Sequence, residues 1–274
     1  MEKIVQNSPW QTLALEVLLR GVSVLVTGST QGIGLAIAVS AARAGAANIA
    51  ISGRDQKRGA DAVAVIAAIG AQAMFVAADL ADPRAPDAVF EAAIKRFGKL
   101  DALVNAAALT DRASVAGATP EVFDRMSTVN LRAPFFLMQR LINHLRDRKA
   151  PGSIVNILSM NAHGGSPELG LYAMTKAGLA VLTKNAAHAH RFDRIRVNGI
   201  NVGWTDTPAE RVMQAETLGK GPGWLEEANA SQPFGRLLVP EDIARLAIFL
   251  LSKQSFPMTG SLIDQEQWVV GARD

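Results

Sequence analysis

Residues 22–34 read Val-Ser-Val-Leu-Val-Thr-Gly-Ser-Thr-Gln-Gly-Ile-Gly, an apolar run that passes into a turn with three glycines. The apolar run at 22–26 is typical of a buried strand, and a helix is predicted over 32–44, where Gly45 ends it. A strand that leads through a glycine-rich turn into a helix is the opening unit of many doubly wound α/β sheets. This stretch therefore favours an α/β fold from its first strand onward.

The rest of the chain repeats the same alternation of short β-rich runs and longer helical patterns. Strands are predicted at 48–52, 73–77, 100–105, 153–158, 195–201 and 261–264, and helices at 55–69, 83–97, 121–145, 171–190 and 241–251. Pro134 is expected to kink the long helix at 121–145. The alternation predicts one doubly wound, Rossmann-like domain at 19–274, whose seven-stranded parallel sheet carries helices on both faces. Residues 1–18 are predicted to be an extension packed on a neighbouring surface, and the glycine-rich stretch 205–232 a mobile insert.

Composition excludes several kinds of function. The 274 residues include no cysteine, so disulfides, thiolate metal sites and a cysteine nucleophile are excluded, and no metal site is predicted. The net charge of +3 and the 15 aromatic residues give little support for nucleic-acid binding. Arg43 and Gly45 interrupt the most apolar stretch, 33–52, which favours a helix and a strand over a membrane span. With no leader pattern at residues 1–20, a cytoplasmic protein without a membrane partner is expected.

The glycine-rich turn suggests a ligand. Gly28, Gly32 and Gly34 allow a tight turn and a close approach of the backbone to a pyrophosphate. The start of the following helix adds free amides and a partial positive charge. An ordinary strand–helix turn is the alternative, but the position directly after the first strand favours a dinucleotide site.

The end of the second strand bears on which dinucleotide binds. It reads Ile51-Ser52-Gly53-Arg54-Asp55, and an acidic residue at this point favours the free ribose hydroxyl of NAD. If Gly53 fills that position, Arg54 can pair with the 2′-phosphate of NADP. If Asp55 fills it, the preference reverses, and both side chains could also be simply solvated. We favour NADP(H), with NAD(H) as the alternative.

Tyr172, the single tyrosine, precedes Lys176 by four residues, which puts both on one helix face. A neighbouring ammonium stabilises a phenolate, so we expect the pKa of Tyr172 to lie well below its ordinary value of about 10. The phenol could then act as a general acid or base. Ser159, at the end of the fifth strand, can point into the same cleft and donate to a carbonyl oxygen. Each of these features is common by itself, but here Ser159, Tyr172 and Lys176 occur together, downstream of a turn that suits a dinucleotide.

In this order the motifs resemble those of the short-chain dehydrogenase/reductase family over residues 20–264. The likeness is carried by Thr27-Gly28 with Gly32-Ile33-Gly34, Asp79-Leu80, Asn105-Ala106-Ala107, Asn130, Ser159, the Tyr172/Lys176 pair and Arg196-Val197-Asn198. The resemblance implies that Tyr172 is the acid/base and that Lys176 holds the nicotinamide ribose and lowers the Tyr172 pKa. It also implies that Ser159 polarises the substrate carbonyl and that Asn130 holds a water of a proton relay.

The resemblance also implies a set of cofactor contacts along the strand ends. Asp79 would bind the adenine amine with Leu80 beside it, Asn105 would lie under the cofactor, and Thr207 would contact the carboxamide. The full set is Gly28, Ser29, Thr30, Gln31, Gly32, Ile33, Gly34, Arg54, Asp79, Leu80, Asn105, Ala106, Ala107, Tyr172, Lys176, Gly203 and Thr207. Each of three residues has a structural alternative: Asn130 could make a polar contact in a helix kink, Asp79 could cap a turn, and Thr207 could cap a helix.

Three segments depart from the family pattern. Ala106 and Ala108 stand where the family has asparagine and glycine, which puts the local hydrogen bonding in question. Val202 replaces a proline, so a looser entry to the insert is expected. The last strand continues as Asp264-Gln265-Glu266-Gln267, where the family usually has two glycines after the aspartate.

The substrate cleft is expected to lie between the residues after Ser159 and the insert. The candidate contacts are Asn161, His163, Trp204, Met213, Leu218 and Trp224. Asn161 and His163 could bind hydroxyls, although a solvent-facing His163 is the alternative. By resemblance, the helices at 121–145 and 172–190 would form the interfaces of a homotetramer.

The sequence therefore predicts an NADP(H)- or NAD(H)-dependent oxidoreductase that interconverts a ketone or aldehyde and an alcohol by hydride transfer. Its partner would be a small carbonyl or alcohol substrate. A non-catalytic dinucleotide-binding regulator and a nucleic-acid-binding module are the alternatives. The regulator has no need of Ser159, Tyr172 and Lys176 together, so their placement discriminates between these hypotheses.

Overall fold

The computed structural model describes residues 18–271. Its strands are β1 Ser23–Val26, β2 Asn48–Gly53, β3 Gln72–Ala77, β4 Ala102–Asn105, β5 Gly152–Ile157, β6 Ile195–Val202 and β7 Leu262–Gln265. Its α-helices are α1 Gly32–Arg43, α2 Gln56–Ala68, α3 Ala85–Phe97, α4 Pro120–Ser127, α5 Ala133–Asp147, α6 Gly170–Ala189, α7 Pro208–Val212, α8 Trp224–Ala230 and α9 Pro240–Leu251. Two π-helical turns, Thr128–Arg132 and Met213–Thr217, and short 3₁₀ turns complete the described chain.

The seven strands form one parallel sheet in the order β3-β2-β1-β4-β5-β6-β7. The predicted doubly wound parallel sheet is confirmed. The strand order reverses between β1 and β4, and ligands of such sheets bind beyond the carboxyl ends of the strands at this point. The glycine-rich turn follows β1, so the topology puts it at the reversal.

Helices cover both faces of the sheet, because apolar side chains leave each strand in both directions. Val24 and Val26 of β1 pack into a core with α1, α2 and α9, whereas Leu25 packs into a second core with α3, α5 and α6. All three side chains are fully buried. Burial on both faces explains why these strands read as continuous apolar runs rather than alternating ones.

The predicted helix at 121–145 is wrong as a single α-helix. The structure divides it into α4, the π-helical turn Thr128–Arg132 and α5. Pro134 lies in the first turn of α5 rather than at the centre of a kink. Proline has no N–H, so it cannot donate to the carbonyl of Asn130 four residues earlier, which matches the change of helical pitch at this point.

The predicted insert at 205–232 contains α7, the π-helical turn Met213–Thr217 and α8. Trp224 is buried and packs against Trp204, with ring centroids 6.2 Å apart. The expectation of a loose entry after Val202 is wrong: Val202 pairs with Gln265 in the sheet, and the N–H of Leu238 donates to the Trp204 carbonyl.

The predicted extension falls almost wholly outside the described residues, of which Leu18 is the first. Leu19 is fully buried, and its N–H donates to the carbonyl of Ala44. Among residues 18–271, no helix combines the length and hydropathy needed to cross a bilayer.

Candidate active site

Two adjoining cavities open along the carboxyl edge of the sheet. The smaller, of about 250 Å³, is lined by the glycine-rich turn, the end of β2 and the segment after β3. The larger, of about 440 Å³, is lined by residues after β5, by α6 and by the segment after β6. Ile33, Ala106, Ala108 and Thr207 line both cavities, so the two form one cleft.

The glycine-rich turn packs directly against the segment after β4. Gly28 has φ +61°, and a Cβ there would lie 2.6 Å from the Cα of Ala107. A Cβ on Gly34 would overlap the carbonyl of Gly28. No side chain can replace either hydrogen, which explains why the turn needs these glycines.

Thr27 joins the turn to the end of β4. Its hydroxyl accepts from the N–H groups of Ala106 and Ala107, at 3.1 and 3.2 Å. Ala106, which replaces the family's asparagine, therefore has its backbone N–H bonded to Thr27. Ala108 has no left-handed φ, so the missing glycine imposes no strain.

Ser29 and Asn105 were predicted to contact the cofactor, and the structure turns both side chains away from the cleft. Ser29 is fully buried: its hydroxyl donates to the Val26 carbonyl at 2.6 Å and accepts from the Ser52 N–H at 3.1 Å. Asn105 donates to the side chain of Asn156 at 2.8 Å within the sheet layer. Both side chains join neighbouring strands instead of lining the cavity.

The end of β2 lies at the mouth of the smaller cavity. Gly53 is the last residue of the strand, and Arg54, which is exposed, lines the cavity. Asp55 is the N-cap of α2: its carboxylate accepts from the Arg58 N–H at 2.9 Å and pairs with the Arg58 guanidinium. Because Asp55 is occupied in this way, Arg54 is the charged residue that faces the cavity at this strand end.

The remaining predicted cofactor contacts lie along the same cavity. Asp79 lines it, although one carboxylate oxygen accepts from the Ala81 N–H at 3.0 Å. Thr207 lines both cavities and also caps α7, since its hydroxyl accepts from the Glu210 N–H at 3.1 Å. The lining also includes Thr30, Gln31, Gly32, Leu80, Ala106 and Ala107, and Gly203 lines the larger cavity.

Ser159, Tyr172 and Lys176 line the larger cavity together. Ser159 follows β5, while Tyr172 and Lys176 are neighbours on α6. Lys176 is 2% exposed, its Nζ donates to the Ile157 carbonyl at 2.7 Å, and it lies 5.7 Å from the centre of the Tyr172 ring. The sequence prediction that these three side chains meet in one cleft agrees with this geometry.

The protein environment shifts the two titratable groups in opposite directions. Burial raises the pKa of Tyr172 to about 12; interaction with Ser159 opposes the rise, and the charge of Glu210 adds to it. Burial lowers the pKa of Lys176 to about 8. The expected fall in the Tyr172 pKa is therefore wrong for the protein chain alone, because the loss of solvation on burial is the largest influence on this group.

Asn130 lies in the π-helical turn and is fully buried. Its amide accepts from the Leu109 N–H at 2.8 Å and donates to the Leu109 carbonyl at 2.9 Å and to the Thr175 hydroxyl at 3.1 Å. Thr175 in turn donates to the Tyr172 carbonyl at 2.8 Å. Asn130 was predicted to hold a water of a proton relay, and its side chain is engaged in fixing α6 to the segment after β4.

The candidate substrate contacts are only partly brought together. Asn161, Trp204 and Met213 line the larger cavity. Leu218 and Trp224 are not part of its lining. The imidazole of His163 also lies outside it, with Nε2 3.2 Å from Asp264 Oδ1.

Sequence reasoning missed several polar residues of this cavity, namely Thr110, Arg112, Ser166, Glu210, Gln214 and Glu266. A signal for Glu210 was present, because Thr207 and Glu210 have the spacing of a helix-capping box. Glu266 stands in the segment where the family pattern was already broken. Nothing in the local pattern marked Gln214.

A family model described as enoyl-(acyl carrier protein) reductase matches residues 28–265, which contain the glycine-rich turn, Ser159, Tyr172 and Lys176. The chain is 34% identical over 243 residues to the short-chain dehydrogenase/reductase FrzI of a Cladobotryum species, covering 88% of this chain and 92% of that one. The chain belongs to the short-chain dehydrogenase/reductase family. This member is also 37% identical over 235 residues to galactitol 2-dehydrogenase of Agrobacterium fabrum, with 84% of this chain and 90% of the relative covered.

Solved structures of family members superpose closely on this short-chain dehydrogenase/reductase. A 3-oxoacyl-(acyl-carrier-protein) reductase from Agrobacterium tumefaciens with NADP bound has a TM-score of 0.83 at 30% identity, covering 94% of this chain and 98% of that one. A 3-ketoacyl-(acyl-carrier-protein) reductase from Brucella melitensis complexed with NADH has a TM-score of 0.79 at 32% identity, covering 91% and 98%. The protein is an oxidoreductase of CH–OH groups that uses a nicotinamide dinucleotide.

Proposed function

We propose that the protein interconverts a ketone or aldehyde and the corresponding alcohol, with NADP(H) as its preferred dinucleotide and Tyr172 as its acid/base. The observation that carries this proposal is the grouping of Ser159, Tyr172 and Lys176 in one cleft beside the glycine-rich turn. The non-catalytic regulator considered above has no need of this grouping.

The residues around the smaller cavity suit a dinucleotide. The first amides of α1 have no partner within the helix, and they lie next to Gly28 and Gly34, where no Cβ fits. Such amides bind a pyrophosphate through N–H donors and the helix dipole. Asp79 and Leu80, which line the same cavity, are the proposed adenine contacts.

Tyr172 is the proposed proton donor to the carbonyl oxygen. The bound dinucleotide supplies the hydride to the carbonyl carbon, and the protein supplies the proton to the oxygen. The raised pKa keeps the phenol protonated at neutral pH, as a donor requires. Ser159 donates a second hydrogen bond to the same oxygen and polarises the carbonyl. Lys176, charged below a pKa of about 8, stabilises the phenolate that remains.

Asn130 is proposed as a positioning residue rather than a catalytic one. Through Thr175 it holds the turn of α6 that carries Tyr172. Pro134 cannot donate to the main-chain carbonyl of Asn130, so that oxygen, not the side chain, is the group available to hold a relay water.

The experiment that tests the reaction follows the absorbance of NADPH and NADH against a panel of ketones and aldehydes. Tyr172→Phe should lower kcat by at least roughly 10²-fold, and Ser159→Ala by a comparable factor, because each removes a donor to the developing oxyanion. Ser166→Ala is the matched control, since Ser166 lines the same cavity and has no part in the proposed proton transfer. Full activity of Tyr172→Phe would disprove the mechanism.

The NADP(H) preference rests on Arg54 facing the cavity while Asp55 caps α2. Arg54→Gln should lower kcat/KM for NADPH by roughly tenfold or more and leave NADH little changed, because only NADPH carries the 2′-phosphate. Lys57→Gln is the control, since Lys57 is an exposed cation that pairs with Asp61. Equal effects of Arg54→Gln on both dinucleotides would contradict the proposal.

A homotetramer is the assembly that we propose. Support comes from the outer face of α4–α6, where Phe123, Phe135 and Val181 are exposed and Leu131, Phe136 and Leu182 line a shallow cavity. Exposed apolar patches of this kind mark association surfaces. Size-exclusion chromatography coupled to light scattering measures the mass of the protein in solution. A mass of 29.0 kDa, that of a monomer, would contradict the proposed tetramer.

A further inference from the structure

The larger cavity carries polar groups that the proton transfer does not use. Gln214 lies in the π-helical turn Met213–Thr217, and such turns often occur at functional sites. Its side chain lines the cavity, yet the residue is only 4% exposed. Its Oε1 is buried and has no hydrogen-bond partner within the described residues. A buried acceptor without a donor is costly, so a ligand that supplies a donor would be bound selectively.

Glu210 fixes the orientation of this amide. One carboxylate oxygen of Glu210 accepts from Gln214 Nε2 at 2.6 Å and from Trp204 Nε1 at 2.8 Å. A carboxylate can only accept, so the NH₂ of Gln214 must face Glu210 and the carbonyl oxygen is left free. Glu210 also raises the pKa of Tyr172 through its charge, which puts it near the proposed proton donor.

Glu266 adds a second carboxylate to the cavity lining. Its side chain lies across Gly203, where a Cβ would overlap the carboxylate. One oxygen accepts from the Gln267 N–H at 2.6 Å, so the carboxylate is held in place by the backbone. The other oxygen makes no hydrogen bond among residues 18–271.

Glu210, Gln214 and Glu266 together offer mainly hydrogen-bond acceptors, since the one donor group among their side chains, the NH₂ of Gln214, already bonds to Glu210. An anionic group would be disfavoured beside Glu210 and Glu266, since like charges brought together cost several kcal/mol, although Arg112 and Lys176 also line the cavity. A plain apolar ketone would leave the acceptors unpaired. A neutral molecule with several hydroxyl groups supplies donors, and its carbon skeleton can pack on the indole ring of Trp204, which also lines the cavity.

We propose that Glu210, Gln214 and Glu266 form a hydroxyl-recognition site, and that the substrate is a neutral polyhydroxylated alcohol or carbonyl compound of the sugar or polyol class. Hydroxyl groups near the reacting carbon donate to Gln214 Oε1 and to the free oxygen of Glu266. Glu210 acts by positioning the amide of Gln214. This inference rests on the proposed function, because it names the substrate of that same cleft.

The test compares a set of hexitols and aldoses with 2-hexanol, which has the chain length of a hexitol but a single hydroxyl. Initial rates are measured with NADP⁺ and with NAD⁺. The wild-type protein should oxidise at least one polyol or sugar with kcat/KM roughly 10²-fold or more above that of 2-hexanol, because sites built to bind hydroxyls discriminate strongly against analogues that lack them.

Two variants test the residues. Gln214→Met keeps the length of the side chain and removes the acceptor; Glu266→Gln keeps the shape and removes the charge. Each should lower kcat/KM for the polyol roughly tenfold more than it lowers kcat/KM for 2-hexanol. Gln265→Met is the matched control, because Gln265 also has a buried Oε1 without a partner but does not line the cavity. Calorimetric titration of the polyol into Tyr172→Phe loaded with NADP⁺ measures the binding without turnover.

The outcomes separate this inference from the function on which it rests. Turnover of 2-hexanol or other apolar alcohols in preference to every polyol would overturn the hydroxyl-recognition site and leave the oxidoreductase proposal standing. Equal losses on both substrates in Gln214→Met and Glu266→Gln would assign these residues a structural role and also overturn it. No turnover of any alcohol or carbonyl compound would refute the proposed function, and this inference with it.

Discussion

Replacement of Lys176 by methionine should make the protein more stable at neutral pH while it abolishes activity. Lys176 is 2% exposed, and its ammonium donates to the Ile157 carbonyl at 2.7 Å. Burial lowers the pKa of Lys176 from its ordinary value of 10.5 to about 8, which means that the folded protein binds this proton less well than the unfolded chain does. The charge that the proposed mechanism requires therefore costs folding free energy.

The size of the cost follows from the two pKa values. A gap from 10.5 to about 8 corresponds to roughly 3 kcal/mol of lost stability. As pH falls below 10.5, the unfolded chain takes up the proton first, so the cost grows until pH 8 and is fully present below it. Methionine removes this cost but forfeits the hydrogen bond to Ile157, worth about 1 kcal/mol. The variant should therefore be roughly 2 kcal/mol more stable at neutral pH and roughly 1 kcal/mol less stable above pH 10.5.

Denaturant unfolding of both proteins at several pH values between neutral and 10.5 measures this difference. The sign should reverse within that range, because the wild-type protein recovers stability as the unfolded chain loses its proton. Lys184→Met, an exposed lysine on the same helix, should change stability by less than about 0.5 kcal/mol at every pH. A Lys176→Met variant that is less stable at neutral pH, with a difference that does not vary with pH, would refute the reasoning.

Three further predictions concern single residues. Absorbance titration of the protein without dinucleotide should show one tyrosinate with a pKa above 10, since burial raises that of Tyr172 to about 12; a midpoint at or below 10 would contradict the structure. Gly28→Ala should abolish dinucleotide binding in a fluorescence titration, because its Cβ would lie 2.6 Å from the Cα of Ala107. Gly98→Ala is the control, since Gly98 also has a positive φ, +75°, but has open space around it. This control should bind the dinucleotide normally and lose only about 1 kcal/mol of stability in thermal unfolding. Thr27→Val should destabilise the protein by roughly 2–4 kcal/mol in denaturant unfolding, because two amides lose their acceptor, and Thr27→Ser should restore most of the loss.

The sheet could be predicted from sequence because each strand carries its own signal. Strands buried on both faces read as apolar runs, and Gly45, Gly70 and Gly98 end the helices that precede β2, β3 and β4. The π-helical turn Thr128–Arg132 could not be predicted, because an amphipathic pattern spaced for an α-helix hardly changes when one turn widens. Pro134 was visible in the sequence, but whether its missing N–H leaves the carbonyl of Asn130 without a donor depends on the helical pitch between the two residues.

The site was predictable to the level of strand ends and helix faces, and no further. Ser29 and Asn105 were correctly placed at the carboxyl edge, but a position in sequence does not say on which side of the backbone a side chain lies. The spacing of Tyr172 and Lys176 predicts a shared helix face, yet it does not tell how deeply the two side chains are buried. The sign of the Tyr172 pKa shift depends on that depth, and so the expectation from spacing alone was wrong.

The cleft disfavours the charged forms of both Tyr172 and Lys176, the proposed proton-transfer pair. Burial and the charge of Glu210 hold the pKa of Tyr172 at about 12, and burial holds that of Lys176 at about 8, so at neutral pH the pair consists of a phenol and an ammonium. This state is ready to donate a proton, which is what carbonyl reduction needs; alcohol oxidation must first remove the proton from Tyr172. Because Glu210 also orients Gln214, the carboxylate that prepares the substrate site is one of the groups that keep Tyr172 protonated. If both proposals hold, substrate recognition and proton transfer are coupled through a single side chain of α7, that of Glu210.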